Sequence, residues 1–326
     1  MLFAGLSGSA AADAAGLGPI EIKMMTDGGY DKEFSSCLTA ASAIIGPIIP
    51  PSNIMIIYAG CVGTVSVGKM FLAGAIPGIL LGIAYMIFCY WISVKRKYPC
   101  RKTRATWKEI GHATWETLPA LLLPIIIMGT ITLGICTATE SSAIAVIYST
   151  IVAACKKNLS IKSFCRACIR SAKAAANVLF IIAISSAMAW AVTTLGVAQA
   201  LTNFCVAYIN NKIVFLLFVN VLLLLIGMLL DASPALLLMV PILWPVAKTL
   251  GIDAIHFGVM VCFNLMVGTL TPPVGMMLFI VSNVGKVKLS VMYKGILPFV
   301  AVAVVVLLLI TYIPSLTTWL PRVLMP

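Results

Sequence analysis

"GPIIPPSNIM", residues 46–55, and "GTLTPPVGMM", residues 268–277, decide how this sequence is read. Both follow the pattern G-x-x-x-P-P in apolar surroundings, and they lie 222 residues apart (268 − 46). Proline lacks the N–H a helix needs and collides with the preceding turn, which costs about 3 kcal/mol in a helix interior. A chain that interrupts itself twice in the same way invites a search for a repeat, and the register holds without a gap well beyond the motif. Gly5 aligns with Gly227, Pro19 with Pro241, Gly29 with Gly251, Asp31 with Asp253, Gly63 with Gly285 and Met70 with Met292. Fifteen identities fall between residues 2 and 71 in this register. Chance matches between apolar segments would favour Leu, Ile and Ala, whereas Gly, Pro and Asp carry much of this set. The chain is an internal duplication.

Each copy has the same order of parts. An apolar hairpin comes first, with a small or polar tip: Ser7-Gly8-Ser9 in one copy, Asp231-Ala232-Ser233 in the other. A turn follows, "TDGGYDKE" (26–33) or "TLGIDAIH" (249–256), then a helix broken at the PP motif (34–60 or 256–283), then an unbroken span. This divides the chain into a first repeat over 1–94, a connecting region of basic loops and transmembrane helices over 95–211, and a second repeat over 212–326.

The composition sets the solvent. Hydrophobic residues make up 61% and charged residues only 10%, against about 25% charged in a soluble domain. Runs 70–94, 175–196, 212–230 and 296–313 are each about as long as a bilayer core requires. The net charge of +12 does not mark a nucleic-acid binder, because the cations gather in two segments between apolar runs. These are "SVKRKYPCRKTRATWK" (93–108) and "CKKNLSIKSFCRACIRSAK" (155–173), read as inter-helix loops that should both be cytoplasmic. Two crossings, 118–135 and a short one at 141–155, then lie between them. Counting outward from these loops gives the two copies opposite orientations, although the slightly acidic turn 26–33 then falls on the cytoplasmic side. The ten cysteines are scattered; Cys165-x-x-Cys168 has no second pair at metal spacing, and core filling is the default reading. His112 and His256 fall at membrane boundaries and read as solvated. Glu140, in "GICTATESSAIAV" (134–146), reads as a cap or partner near a helix start.

The expected fold is an all-α integral membrane protein of inverted repeats with two re-entrant hairpins and two broken helices, the architecture of secondary transporters. Irregular backbone at membrane depth is tolerated where it lines a cavity or is buried in protein. There, helix-end N–H groups attract anions and freed carbonyls coordinate cations. Two pseudo-symmetric sites follow. The first Na⁺ site draws on Ser7, Gly8, Ser9, Ser42, Gly46 and Ile49, and the second on Asp231, Ser233, Asn264, Gly268, Thr269 and Thr271. Asp13 and the proline pairs Pro50, Pro51, Pro272 and Pro273 belong to substrate binding or gating. An all-oxygen set suits a hard cation and argues against a transition metal. Hydroxyls in apolar helices also bond back to their own chain, and an acidic residue at a helix start also caps it. Asp13 and Asp231 stand out because a carboxylate at this depth is costly without a purpose. No enzymatic constellation is expected. An intramembrane aspartyl protease would pair these two carboxylates, but the register sets Asp231 opposite Ser9, not opposite Asp13.

At these residues the sequence resembles the large membrane subunit of the TRAP (tripartite ATP-independent periplasmic) transporters. "FAGLSGSAAADAAGLG" (3–18), "TAASAIIGPIIPPSNIMIIYAG" (39–60), "GICTATESSAIAVIY" (134–148), "GMLLDASPALLLMVPILWPVAKTLGIDAIHFGV" (227–259) and "NLMVGTLTPPVGMMLFI" (264–280) carry the likeness. The resemblance implies an elevator-type fold of the ion-transporter superfamily in a bacterial inner membrane. It implies Na⁺ as coupling ion with no other cofactor, and sodium sites at the hairpin tips and their facing breaks. It also implies a small four-helix membrane subunit, a periplasmic substrate-binding protein and an organic-anion substrate such as a C4-dicarboxylate. Ala138 stands where the family usually has proline. Relative to the family, the chain reads as N-terminally truncated, starting within the first arm of the first hairpin. A stand-alone Na⁺/dicarboxylate symporter and a non-transporting assembly subunit are the alternatives.

Overall fold

The structure, a computed structural model, describes residues 8–99, 106–156, 159–196 and 211–325; among these it has fourteen helices and no strand. In the first copy, α1 (Ala10–Gly16) and α2 (Gly18–Asp27) form the second arm of the hairpin. The halves of the broken helix are α3 (Lys32–Ala43) and α4 (Asn53–Val62), and α5 (Val67–Arg96) is the long helix after them. Then come α6 (Trp107–Thr132), α7 (Ala138–Cys155) and α8 (Ile161–Thr194). The second copy comprises α9 (Lys212–Leu229), α10 (Ala232–Thr249), α11 (Ala254–Leu270), α12 (Met276–Gly285) and α13 (Leu289–Tyr312), with α14 (Ser315–Leu324) closing the chain. Among the described residues, α5, α7, α9, α10 and α13 are long and apolar enough to cross a membrane. This is a multi-pass helical membrane protein.

Both helices break where the prolines lie, but not equally. α3 stops at Ala43 and the helix resumes at Asn53, whereas α11 continues to Leu270 and resumes at Met276. The cause is one residue. Pro47 has no N–H to offer the Ala43 carbonyl, which instead accepts from Gly46 at 3.2 Å; the chain tightens into turns. Thr269 stands at the equivalent place in the second copy (47 + 222), keeps its N–H, and lets the helix run on.

The copies interlock. α12 packs on α1, α2 and α3, while α4 packs on α10 and α11. The second half of each broken helix is thus seated against the other copy. α11 is the centre of the core, with every residue from His256 to Leu270 buried. It crosses α9 through Gly227 and Gly268, where a Cβ on Gly268 would stand 2.7 Å from the Gly227 Cα. Only glycine permits that approach.

The repeats run in opposite senses, and α5 is the ruler. The first-copy turn reaches its C-terminal end: Asp31 pairs with Arg96 at 3.2 Å and accepts from the Tyr98 hydroxyl at 2.5 Å. The equivalent residue of the second copy, Asp253, shares a cleft with Lys69 and Arg322 at the other end of α5. Twenty-seven residues of helix (96 − 69) separate those ends by about 40 Å. The ion pair also accounts for an acidic turn lying beside a basic segment, since Asp31 has Arg96 as its cation.

Two expectations are corrected. The basic segment 155–173 is not loop throughout: from Ile161 it is helix, which runs without interruption into the apolar stretch, to Thr194. His256 is not solvated. It is buried in α11, its Nδ1 3.0 Å from the Thr317 Oγ1 and its Nε2 3.2 Å from the Thr311 carbonyl oxygen. The His112 side chain lies outside the described residues. Glu140 forms a capping box with Thr137 at the start of α7, as its position suggested.

Candidate functional site

The site is built where a hairpin tip meets a break, and in both copies backbone makes the join. Gly8 has φ of 62°, and a side chain there would overlap the Pro51 carbonyl oxygen. The Asn53 N–H donates to the Gly8 carbonyl at 3.4 Å. In the second copy the Gly275 N–H donates to the Met228 carbonyl at 3.1 Å. Asn53 and Gly275 are equivalent in the repeat (53 + 222). The Pro50–Pro51 and Pro272–Pro273 peptide bonds are both cis, so four of the residues assigned to gating occupy matching backbone geometry.

Side chains brace the two breaks differently. Ser52 is buried, donates its hydroxyl to the Pro47 carbonyl and accepts from the Met55 N–H, capping α4. Its second-copy counterpart is Val274 (52 + 222), which has no hydroxyl. There the Tyr293 hydroxyl donates to the Pro273 carbonyl at 2.5 Å, and the first-copy counterpart of Tyr293 is Phe71. Ser52 was legible as a serine preceding an apolar helical run; Tyr293 carried no local signal.

The candidate ligands divide into groups. Ser7 lies outside the described residues. Ser9 caps α1, its Oγ accepting from the Ala12 N–H at 3.4 Å. Asp231 stands at the N-cap position of α10, but its exposed carboxylate makes no capping hydrogen bond; Ser233 is half-buried beside it. The other hydroxyls bond back to their own helices: Ser42 to Thr39 at 3.1 Å, Thr269 to Met266 at 2.7 Å and Thr271 to Val267 at 2.8 Å. Such a hydroxyl spends its proton on the carbonyl and keeps oxygen lone pairs for a cation. Gly46 and Ile49 lie in the turns between α3 and α4, and Gly268 in the last turn of α11. Asp13 is buried on α1.

Asn264 is placed elsewhere. It precedes Thr271 by seven residues, about 10 Å along the helix, and its side chain faces α9. Its Nδ2 donates to the Asn220 carbonyl oxygen at 3.0 Å and to the Asn220 Oδ1 at 2.7 Å. Two acceptors fix which end of the amide faces Asn220. Asn220 in turn donates to the Thr311 Oγ1 at 2.9 Å, and Thr311 donates to the Leu307 carbonyl at 2.8 Å. This buried chain ties α9, α11 and α13 together; the Asn264 Oδ1 is left buried without a hydrogen-bond partner among the described residues. Sequence reasoning missed Asn220 and Thr311, because single polar residues in apolar helices carry no periodic signal.

Among the described residues no group of three or more His, Cys, Asp or Glu gathers as a metal-binding cluster. The donors at the tips and breaks are hydroxyls, carbonyls and one carboxylate, a set matched to a hard cation.

Comparison with known proteins adds the following. Residues 1–316 match the family described as "Tripartite ATP-independent periplasmic transporter, DctM component". The chain is 41% identical over 327 residues to the sialic acid TRAP transporter permease protein SiaT of Haemophilus influenzae, covering 100% of this chain and 53% of that protein. It is 41% identical over 323 residues to the sialic acid TRAP transporter large permease protein SiaM of Vibrio cholerae, covering 99% and 75%. It is 36% identical over 323 residues to the C4-dicarboxylate TRAP transporter large permease protein DctM of Pseudomonas aeruginosa, covering 99% and 75%. The chain thus spans about half the length of the first of these relatives and three quarters of the other two.

Proposed function

The chain belongs to the DctM family of tripartite ATP-independent periplasmic transporters, and from that premise we propose that it carries the translocation pathway for an organic anion coupled to Na⁺. The observation that carries this reading is the paired geometry of tip and break: Gly8 against Pro51 and Asn53, and Met228 against Gly275. Each pair opens helix-end backbone at the middle of a broken helix, where N–H groups face an anion and carbonyls face a cation.

In this reading Na⁺ at each tip draws hairpin and break together. Asp231, Ser233, Thr271 and break carbonyls serve the second site, and Ser9, Ser42 and the carbonyls between Gly46 and Ile49 the first. The substrate's acid group then lies between the tips against their N–H groups, and the proline pairs hold the backbone around it. The hairpin-bearing core moves as an elevator against a scaffold that includes α5 and α13. Relatives named for sialic acid and for C4-dicarboxylates support an organic acid as the substrate class. The TRAP names support a small four-helix membrane subunit and a periplasmic binding protein as partners, in a bacterial inner membrane.

Reconstitution of the chain with both partner subunits in proteoliposomes tests the proposal. Uptake of an organic acid is expected when an inward Na⁺ gradient is imposed and is expected to collapse when K⁺ replaces Na⁺. Uptake that persists at full rate in K⁺ overturns the coupling, and uptake without the binding protein overturns the tripartite reading.

A further inference from the structure

The helical state of the basic segment has a consequence that a loop would not. In α8, Lys162, Arg166, Arg170 and Lys173 follow one another at spacings of four, four and three. At about 100° per residue these four cations fall within an arc of about 80° on one face. Cys165 and Ile169 lie directly beside that arc, followed by Ile161, and the cations and these three apolar residues line one shallow groove. Every residue from Ile161 to Lys173 is exposed, so nothing among the described residues covers the stripe.

Among the described side chains the stripe has no counter-charge. No Asp or Glu occurs from Ser141 to Leu230, and none of the four cations forms a salt bridge with a described carboxylate. Like charges four apart on a helix repel, so the stripe works against its own helix unless an anion lies along it. The 34 residues of α8 make a helix about 51 Å long, against about 30 Å of bilayer hydrocarbon. The apolar stretch from Ala174 to Thr194 is about as long as that core, and Ile161–Lys173 extends the same helix by about 20 Å, from the level of the headgroups outward.

We propose that the Lys162–Lys173 face of α8 is a binding site for the phosphate groups of anionic phospholipids. Cations on one helical face, continuous with an apolar stretch of about membrane length, match a layer of lipid phosphates. A solvated basic loop needs only bulk counter-ions; a helical face presents its charges at a fixed spacing to a layer of phosphates. The proposal does not depend on the coupling ion or the substrate, so it stands or falls apart from the transport reading.

Native mass spectrometry of the full chain in detergent, with phosphatidylglycerol or phosphatidylcholine added, tests it. The wild-type chain is expected to retain phosphatidylglycerol and to release phosphatidylcholine. Each cation removed weakens anionic-lipid binding about fivefold, so the variant Lys162→Gln/Arg166→Gln/Arg170→Gln/Lys173→Gln is expected to lose the adduct. A second variant, Arg166→Ala/Ala167→Arg with Arg170→Ser/Ser171→Arg, keeps the net charge but scatters the stripe, and is expected to bind more weakly than wild type. Equal retention by wild type and the neutralised variant overturns the site, and equal retention by the scattered variant overturns the ordered face. Displacement of the lipid by an equal concentration of inorganic phosphate shows a free-anion site and overturns the lipid assignment. Micelles impose no orientation, so a change of topology in the variants cannot mimic these outcomes.

Discussion

Asp231 shows how one residue's surroundings separate two roles. An aspartate just before a helix ordinarily caps it, and replacing a working cap by alanine costs about 1 kcal/mol. Here the carboxylate makes no capping bond and is exposed at the tip, so its charge is available to an ion. Asp231→Ala is therefore expected to insert and melt like the wild type while losing Na⁺-driven uptake; unchanged uptake in proteoliposomes removes Asp231 from the mechanism. His256 runs the other way. Its place at a membrane boundary suggested solvent, but α14 brings Thr317 over it and α13 brings the Thr311 carbonyl. A polar side chain is buried where partners exist, and those partners are 55 and 61 residues away in sequence.

At the scale of elements, the duplicated breaks are equal in sequence pattern and unequal in construction. Pro47 makes the first break longer, and Ser52 closes it by bonding to the Pro47 carbonyl and the Met55 N–H. Ser52→Ala leaves a buried carbonyl and a helix N–H unserved, a loss of about 1–3 kcal/mol. The expected result is a lower melting temperature in detergent, with faster hydrogen exchange in 47–55 than in 268–277. Exchange that is unchanged in both segments would show that Ser52 does not hold the break. The basic segment teaches a related lesson. Its charge density reads as loop, but Ile161, Cys165 and Ile169 recur at helical spacing through it, and the helix propagates from the apolar stretch that follows.

For the whole molecule, α5 separates the equivalent turns of the two copies, with Asp31 at its Arg96 end and Asp253 at its Lys69 end. Set in a bilayer, those ends face opposite compartments. Asp31→Cys and Asp253→Cys, each in a background without other reactive cysteines, are expected to label with a membrane-impermeant maleimide from opposite sides of oriented vesicles. Labelling of both from one side would overturn the inverted arrangement. Near Asp31, burial and the bond to Asp31 hold the Tyr98 hydroxyl above the usual phenol range, so the hydroxyl remains a donor at neutral pH.

The sequence by itself determined the solvent, the duplication and the two breaks, because hydrophobic run length, register and proline act locally and need no partner. It also pointed to the tips, since small and polar residues at a hairpin end are a local signal. Tertiary structure alone decided that the second half of each broken helix is seated against the opposite copy, that Asn264 bonds Asn220 and Asn220 bonds Thr311, and that Tyr293 braces the second break. Those choices rest on contacts between residues 20 or more apart in sequence, where the energy lies in complementary shape and paired donors, which no short stretch of chain encodes.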